Sequence, residues 1–288
     1  MYKSLITENW KDYELIDSGY GKRLERFGPY IFSRPDPNAL WKPFLSKEEW
    51  KKVDAVYHRS KTGGGNWEYN KKIPSEWEIK YKDYTFIIKP TGFKHMGIFP
   101  EQTPHWDFID KVSANKKNMK ILNLFAYTGG ATLASLNRGA YVCHVDASKS
   151  IIKWTKQNIE LSGFGKYPQK LFFDDAMKFI KKEKNRGNKY NGFILDPPTY
   201  GRGANGELWK IETGIIELLD NLKHLFDKDL QFFIINTYSS NVNVYTLVNL
   251  LNNILPKSGK LDYGDLCLKE SKAKRQIFCN FYARWSKV

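Results

Sequence analysis

Between residues 118 and 255 short apolar runs alternate with longer segments patterned like helices, and few folds accommodate that rhythm. Lys120 to Phe125 (KILNLF), Tyr141 to Asp146, Lys170 to Phe173 and Gly192 to Leu195 read as strands. Ala131 to Asn137, Lys149 to Leu161 and Ala176 to Lys184, lying between them, read as helices, and Glu207 to Phe226 and Val242 to Leu255 flank a further strand at Gln231 to Asn236. Strands this apolar leave no face for water, and the helices between them are long enough to cross over, so the sheet is mainly parallel and covered on both faces. The final runs, Lys260 to Leu268 and Gln276 to Trp285, share a link too short for a parallel crossover and are expected to pair antiparallel. An α/β, doubly wound sheet of about seven strands ending in an antiparallel hairpin follows.

The first hundred residues have a different texture. Tyr13 to Ile16, Tyr30 to Phe32, Asp54 to His58, Trp67 to Tyr69, Trp77 to Tyr81 and Tyr84 to Lys89 alternate aromatic or β-branched residues with polar ones. Gly19, Gly21, Pro35, Pro37, Gly63, Gly64, Gly65 and Pro74 punctuate them. Two domains are therefore expected: a small, mainly β N-terminal region over 1–110, a candidate substrate-binding domain, and an α/β domain over 111–288. Trp41, Trp67 and Trp77 suit core packing better than an open base-stacking platform.

The chain carries 46 Lys and Arg against 31 Asp and Glu, a net charge of +15. Residues 1–110 hold 18 basic and 16 acidic side chains, whereas 111–288 hold 28 and 15, so the excess belongs to the α/β part. Such an excess concentrates and steers a polyanion, which makes nucleic acid the leading class of partner. Solvated lysines on an ordinary surface are the alternative. Lys269, Lys272, Lys274 and Arg275 form the densest cluster near the terminal hairpin, as a phosphate clamp or as a solvated turn. Three widely spaced cysteines, Cys143, Cys267 and Cys279, suggest neither a disulfide framework nor a metal site. No apolar window is long enough to span a membrane, and residues 1–20 are charged and unlike a secretory signal, so a cytoplasmic location is expected. A monomer or a homodimer is expected.

In an open parallel sheet, ligands bind beyond the carboxyl ends of the strands, where strand order reverses. Three signals sit at such ends. Leu122 to Gly130 (LNLFAYTGG) follows the first core strand with a glycine turn, Asp146 ends the second, and Asp175 follows the third. Glycines let the backbone approach a ligand, and an acid on the second strand can accept from both ribose hydroxyls. Asp175 is placed to accept from an adenine amino group. Each acid alone is equally readable as a helix cap. A full G-x-G-x-x-G fingerprint is missing from residues 122–139, which sets a dinucleotide behind a nucleoside cofactor.

Together with Asp196, Pro197, Pro198, Thr199 and Tyr200 after the fourth strand, these segments resemble the class I S-adenosylmethionine-dependent methyltransferases, Rossmann-like enzymes. The closer likeness is to the branch acting on large-subunit ribosomal RNA. The resemblance implies S-adenosylmethionine as cofactor and RNA as partner. It implies cofactor contacts from Asn123, Phe125, Ala126, Tyr127, Thr128 and Gly129, from Asp146 and Ala147, from Asp175 and Ala176, and from Asp196. The run Lys94 to Gln102 (KHMGIFPEQ) resembles a loop that reaches over the cofactor, so Phe99 and Gln102 are carried as contacts.

Paired prolines stiffen the backbone and remove two amide donors, leaving Asp196 and nearby carbonyls as acceptors for a base amino group. Asp196, Pro197, Pro198 and Tyr200 are the expected catalytic residues, with Tyr200 stacking on the base and Arg202 beside it near phosphate. No metal is called for. Carbon-5 methylation of cytosine instead needs a cysteine thiolate to add to the ring. The resembling enzymes that do this carry Thr-Cys-Ser after the fifth strand, where this chain has Thr237, Tyr238 and Ser239. Transfer to a base nitrogen is the expected reaction. The alternatives are a carbon-5 enzyme, a catalytically silent nucleic-acid-binding protein, and a protein or small-molecule methyltransferase.

Overall fold

A computed structural model describes residues 2–60, 64–203 and 206–287; Gly63, expected to separate two N-terminal strands, lies outside the described residues. The chain divides into two compact units. One comprises Met1–Leu5, Thr103–Leu266 and Cys279–Val288, the other Ile6–Gln102 and Cys267–Phe278. A division after residue 110 would cut the helix Thr103–Ser113, and the tip of the C-terminal hairpin belongs to the smaller unit.

In the larger unit, α1 (Thr103–Ser113) leads into β1 (Lys120–Leu124), α2 (Gly130–Leu136), β2 (Tyr141–Asp146), α3 (Lys149–Leu161) and β3 (Gln169–Phe173). The chain continues through α4 (Ala176–Asn185), β4 (Gly192–Leu195), α5 (Ile211–Lys223), β5 (Phe232–Thr237), α6 (Val244–Ile254), β6 (Gly259–Lys269) and β7 (Gln276–Lys287). The sheet has eight strands in the order Tyr2–Ile6, β6, β7, β5, β4, β1, β2, β3. The eighth, Tyr2–Ile6, is one more than the sequence pattern announces. Pairings among β1, β2, β3, β4 and β5 are parallel, and β7 lies antiparallel to β5. The chain winds from β1 out to β3, then returns to β4 on the other side of β1, so strand order reverses between β1 and β4. A ligand cleft belongs beyond their carboxyl ends.

Central strands are apolar on both faces because helices cover both. Phe193, Leu195, Phe233 and Ile235 are fully buried in one core with Leu218, Leu219 and Leu222 of α5 and Leu247 and Leu251 of α6. Each such side chain contributes roughly 1.5–3 kcal/mol by leaving water. Trp106 of α1 lies where a Cβ on Gly130 would point, so a side chain at the first residue of α2 would displace the indole.

The expected helix over Glu207 to Phe226 is shorter than its pattern. Leu208–Lys210 is a strand paired antiparallel with Tyr200–Arg202, and the helix begins at Ile211. The Trp209 indole donates to the Pro198 carbonyl at 2.7 Å, and Gly203 N–H donates to Glu207 O at 2.7 Å. These non-local bonds override local helix propensity.

The smaller unit is mainly antiparallel. Tyr13–Gly19, Lys22–Phe27, Tyr30–Pro35, Ala55–Arg59 and Gly65–Tyr69 form one sheet in chain order, with only the third and fourth strands parallel. Trp77–Tyr81 and Tyr84–Ile88 pair separately. Lys22–Phe27 (KRLERF) escapes a hydrophobic reading because it buries a charge: Glu25 accepts from Arg34 at 2.6 Å and from the Tyr13 hydroxyl at 2.8 Å. Trp41, Trp67 and Trp77 donate their indole N–H groups to the carbonyls of Ser18, Thr91 and Phe27. Arg275 bonds Asp17 at 2.9 Å, Glu270 at 2.7 Å and the carbonyls of Ser18 and Lys42. Its guanidinium fastens the hairpin tip within the unit.

Candidate active site

The loop after β1 is held in an unusual conformation. Phe125, Tyr127 and Gly129 have φ of 55°, 49° and 94°, so alternate residues are left-handed, and two of them carry side chains that disfavour it. Bonds to β2 and α3 fix this shape. Ala126 N–H donates to Val145 O at 3.2 Å, and Tyr127 N–H donates to Asp146 Oδ2 at 3.0 Å. From α3, Thr155 Oγ1 donates to Tyr127 O at 2.8 Å and Asn158 Nδ2 to Thr128 O at 2.9 Å. A Cβ on Gly129 would come within 2.8 Å of Thr155 Cγ2, so both its φ and this close approach require glycine. The N-terminus of α2 follows directly, with Gly129 as its cap. Asn123 is buried in β1 beneath the loop, its amide donating to Thr132 Oγ1 at 3.0 Å.

Asp146 ends β2, and its carboxylate accepts two backbone N–H groups. Oδ1 accepts Ser148 N–H at 2.9 Å while Oδ2 accepts Tyr127 N–H, leaving further lone pairs on both oxygens. Burial raises its pKa against the lowering effect of those two N–H groups. Asp146 pairs with Phe173 in the β2–β3 register, so Asp175, two residues past β3, starts from a neighbouring strand end. Asp175 caps α4, Oδ1 accepting Lys178 N–H at 2.9 Å. Helix capping, the alternative reading of these acids, is therefore realised at Asp175. It leaves Oδ2 as an acceptor within 2.6 Å of where a Gly203 Cβ would lie. Ala147 and the buried Ala176 keep the backbone beside both acids uncrowded.

Asp196 leaves β4, its N–H directed at Leu124 O at 3.5 Å, so the Asp196–Tyr200 segment and the loop after β1 diverge from adjacent strands at the reversal point. The hairpin of Tyr200–Arg202 and Leu208–Lys210 has two faces. Gly201 and Trp209 pair on one, with the Trp209 ring against Phe125 at a centroid distance of 5.3 Å. Tyr200, Arg202, Leu208 and Lys210 occupy the other, all exposed. Lys178 pairs with Glu207, tying the hairpin to α4.

Phe99 and Gln102 belong to the smaller unit. Gln102 closes a buried 3-10 turn, Pro100–Gln102, and Phe99 packs on His95 at 5.1 Å. Thr155, Asn158 and Trp209 were not foreseen. The available signal was a Thr and an Asn on the apolar face of α3, next to the buried Trp154 and Ile159.

At the fifth-strand position of the carbon-5 enzymes stands Tyr238, following Thr237 at the end of β5. Cys143 lies within β2 with the Tyr190 hydroxyl 3.4 Å from its sulfur, and burial raises its pKa above the ordinary 9.0. Among the described residues no group of three or more His, Cys, Asp or Glu is placed to hold a metal ion, and no helix is long and apolar enough to cross a membrane.

Residues 107–231 match the family model described as Conserved hypothetical protein 95. Over 145 residues the chain is 30% identical to ribosomal RNA large subunit methyltransferase K/L of Pseudomonas aeruginosa, a match covering 50% of this chain but only 19% of that protein. Ribosomal RNA large subunit methyltransferase K of Neisseria meningitidis is 23% identical over 244 residues, 81% of this chain and 67% of that one. The SAM-dependent methyltransferase of Agrobacterium tumefaciens superposes with a TM-score of 0.95 and 32% identity over 99% of this chain and 94% of that one. Likeness at that level over nearly the whole of both chains, joined to the loop after β1 and the acids after β2 and β3, shows that this chain belongs to the class I S-adenosylmethionine-dependent methyltransferases.

Proposed function

We propose that the protein transfers the methyl group of S-adenosylmethionine to a base nitrogen of RNA, with large-subunit ribosomal RNA in the cytoplasm as substrate. The observation that carries this reading is the divergence of two segments, Phe125–Gly129 and Asp196–Tyr200, from adjacent strands where strand order reverses between β1 and β4. The donor set fits the cofactor. Asp146 keeps acceptor capacity for ribose hydroxyls, Asp175 for an exocyclic amino group, and the loop from Phe125 to Gly129 brings backbone close to the methionine part. When bound, the cofactor supplies an electrophilic sulfonium methyl.

The protein's own residues orient the other reactant. Asp196 accepts from an amino group on the base edge and turns the attacking nitrogen's lone pair toward the methyl, an alignment effect. Tyr200 stacks on the base, and Arg202 and Lys210 on the same hairpin face meet flanking phosphates. A base in a loop or in unassembled RNA is reached without duplex opening. A cysteine adduct is not part of this chemistry, in keeping with Tyr238 after β5 and the raised thiol pKa of Cys143. The names of the Pseudomonas and Neisseria relatives support ribosomal RNA as the substrate.

Two measurements test the proposal. S-adenosylmethionine at a hundred times its dissociation constant is expected to stabilise the native state by about 2.7 kcal/mol. Mass spectrometry of ribosomal RNA nucleosides from cells with and without the gene is expected to reveal one missing N-methylated base. An unchanged nucleoside profile would contradict the substrate assignment.

A further inference from the structure

Beneath the loop after β1 lies a chain of buried polar groups. Asn123 Nδ2 donates to Thr132 Oγ1 at 3.0 Å, and Thr132 Oγ1 lies 2.9 Å from His144 Nδ1. His144 Nε2 lies 3.3 Å from Thr155 Oγ1, and that hydroxyl donates to Tyr127 O at 2.8 Å, with Ile151 O a second acceptor at 3.0 Å. Asn123, Thr132, His144 and Thr155 come from β1, α2, β2 and α3, and all four are buried. The imidazole therefore bridges two helices from within the sheet.

The chemistry of the donors selects one direction. Each hydroxyl has a single proton, and a neutral imidazole donates at one nitrogen and accepts at the other. If Nε2 carries the proton, His144 donates to Thr155, Thr155 donates to Tyr127 O, and Thr132 accepts from Asn123 while donating to Nδ1. If Nδ1 carried it, Thr132 would accept twice, and Thr155 would turn its only proton back to the imidazole. Tyr127 O would then lose the Thr155 donor. Only the first arrangement uses both hydroxyl protons and leaves that of Thr155 for Tyr127 O, the nearer of its two carbonyl acceptors.

We infer that Thr132, His144 and Thr155 are positioning residues: a one-directional hydrogen-bond relay through the Nε2–H tautomer of His144 pins the Tyr127 carbonyl and shapes the cofactor loop for binding. The relay acts on one of the loop's two left-handed residues that carry side chains. Tyr127 is left-handed at φ 49°, its N–H is held by Asp146, and its carbonyl is held by Thr155. Loss of the Thr155 donor would let the peptide rotate toward more favourable backbone angles and widen the loop. Preorganisation of this kind is read as affinity, because an unrestrained loop must be ordered on binding. The inference rests on the proposed binding of S-adenosylmethionine at this loop.

Three forms of the protein test it: wild type, T155S, which keeps the hydroxyl, and T155V, which keeps the shape. Calorimetric titration with S-adenosylmethionine is expected to give T155V a dissociation constant about tenfold weaker than wild type and T155S a value within about threefold. Nitrogen-15 spectra of histidine-labelled wild type, with His144 assigned by H144Q, are expected to show protonated Nε2 and bare Nδ1. T155V binding as tightly as wild type, or a protonated Nδ1 at His144, would overturn the inference. Failure of wild type itself to bind S-adenosylmethionine would instead strike the proposed function, while the tautomer still decides the relay. If T155V does not fold, hydrogen exchange at Tyr127 and Thr128 in H144Q replaces it. Faster exchange confined to this loop is expected, and unchanged exchange would overturn the relay.

Discussion

The indole N–H of Trp209 donates to the carbonyl oxygen of Pro198 at 2.7 Å while its ring rests on Phe125, centroids 5.3 Å apart. One side chain thus ties the hairpin to the segment after β4 and to the loop after β1. W209F keeps most of the ring packing and loses the hydrogen bond, so turnover is expected to fall about fivefold, equivalent to about 1 kcal/mol. W209A also removes the ring from Phe125 and is expected to lose considerably more. Steady-state kinetics check this, with kcat affected more than the affinity for S-adenosylmethionine. A loss confined to that affinity would mean that Trp209 acts on the cofactor loop alone.

The exposed face of the hairpin makes a separate prediction. Arg202 and Lys210 flank Tyr200 and Leu208 there, with exposures of 55% and 58% for the latter two. If each cation meets one phosphate of a single strand, R202A/K210A reduces the slope of log affinity against log salt by about 1.4, since each contact contributes about 0.7. Binding isotherms for RNA at several salt concentrations measure it. An unchanged slope would remove these cations from the interface.

Glu25 is expected to contribute to the acid sensitivity of the smaller unit. Burial is the largest influence on its pKa and pushes it up, but the charges of Arg23 and Arg34 and the bonds from Tyr13 and Arg34 outweigh it, leaving the value below the ordinary 4.5. A carboxyl with a lowered folded pKa stabilises above its unfolded value, and that stabilisation is lost as pH falls through the folded one. E25Q is expected to destabilise by about 3–5 kcal/mol near pH 7, because it leaves Arg34 buried opposite a neutral group. The gap between wild type and variant should narrow below pH 4.5. Denaturant titrations at pH 7 and pH 3.5 provide the comparison, and a gap that grew on acidification would contradict the sign.

Cysteine replacements address the reaction class. C143S, C267S and C279S, made singly, are expected to retain turnover within about threefold, since direct attack by a base nitrogen needs no thiolate. Loss of turnover in any one, with cofactor binding intact, would reopen carbon-5 chemistry.

Much of the larger unit was legible in the sequence because its signals are local. Lys149–Leu161 and Gly192–Leu195 were read to the residue, since the period changes sharply between a helix with one apolar face and a strand buried on both. What escaped depends on distant partners. Leu208–Lys210 has helix-forming neighbours and becomes a strand through Trp209 and Pro198, while Lys22–Phe27 hides a buried Glu25 that no hydrophobic pattern marks. The glycine turn and the acids at 146 and 175 were visible as residue types at strand ends. The polar groups beneath them were not, because His144 and Thr155 gain meaning only when β2 and α3 pack around Tyr127.

Methyl transfer itself can be followed atom by atom. The protein is incubated with large-subunit ribosomal RNA and S-adenosylmethionine labelled with carbon-13 in the methyl group, and the RNA is digested for mass spectrometry and carbon NMR of the nucleosides. The account predicts one labelled nucleoside whose methyl carbon is bonded to a base nitrogen, absent with D196A. Label on carbon 5 of a pyrimidine, or none on any base of RNA that the protein binds, would contradict it.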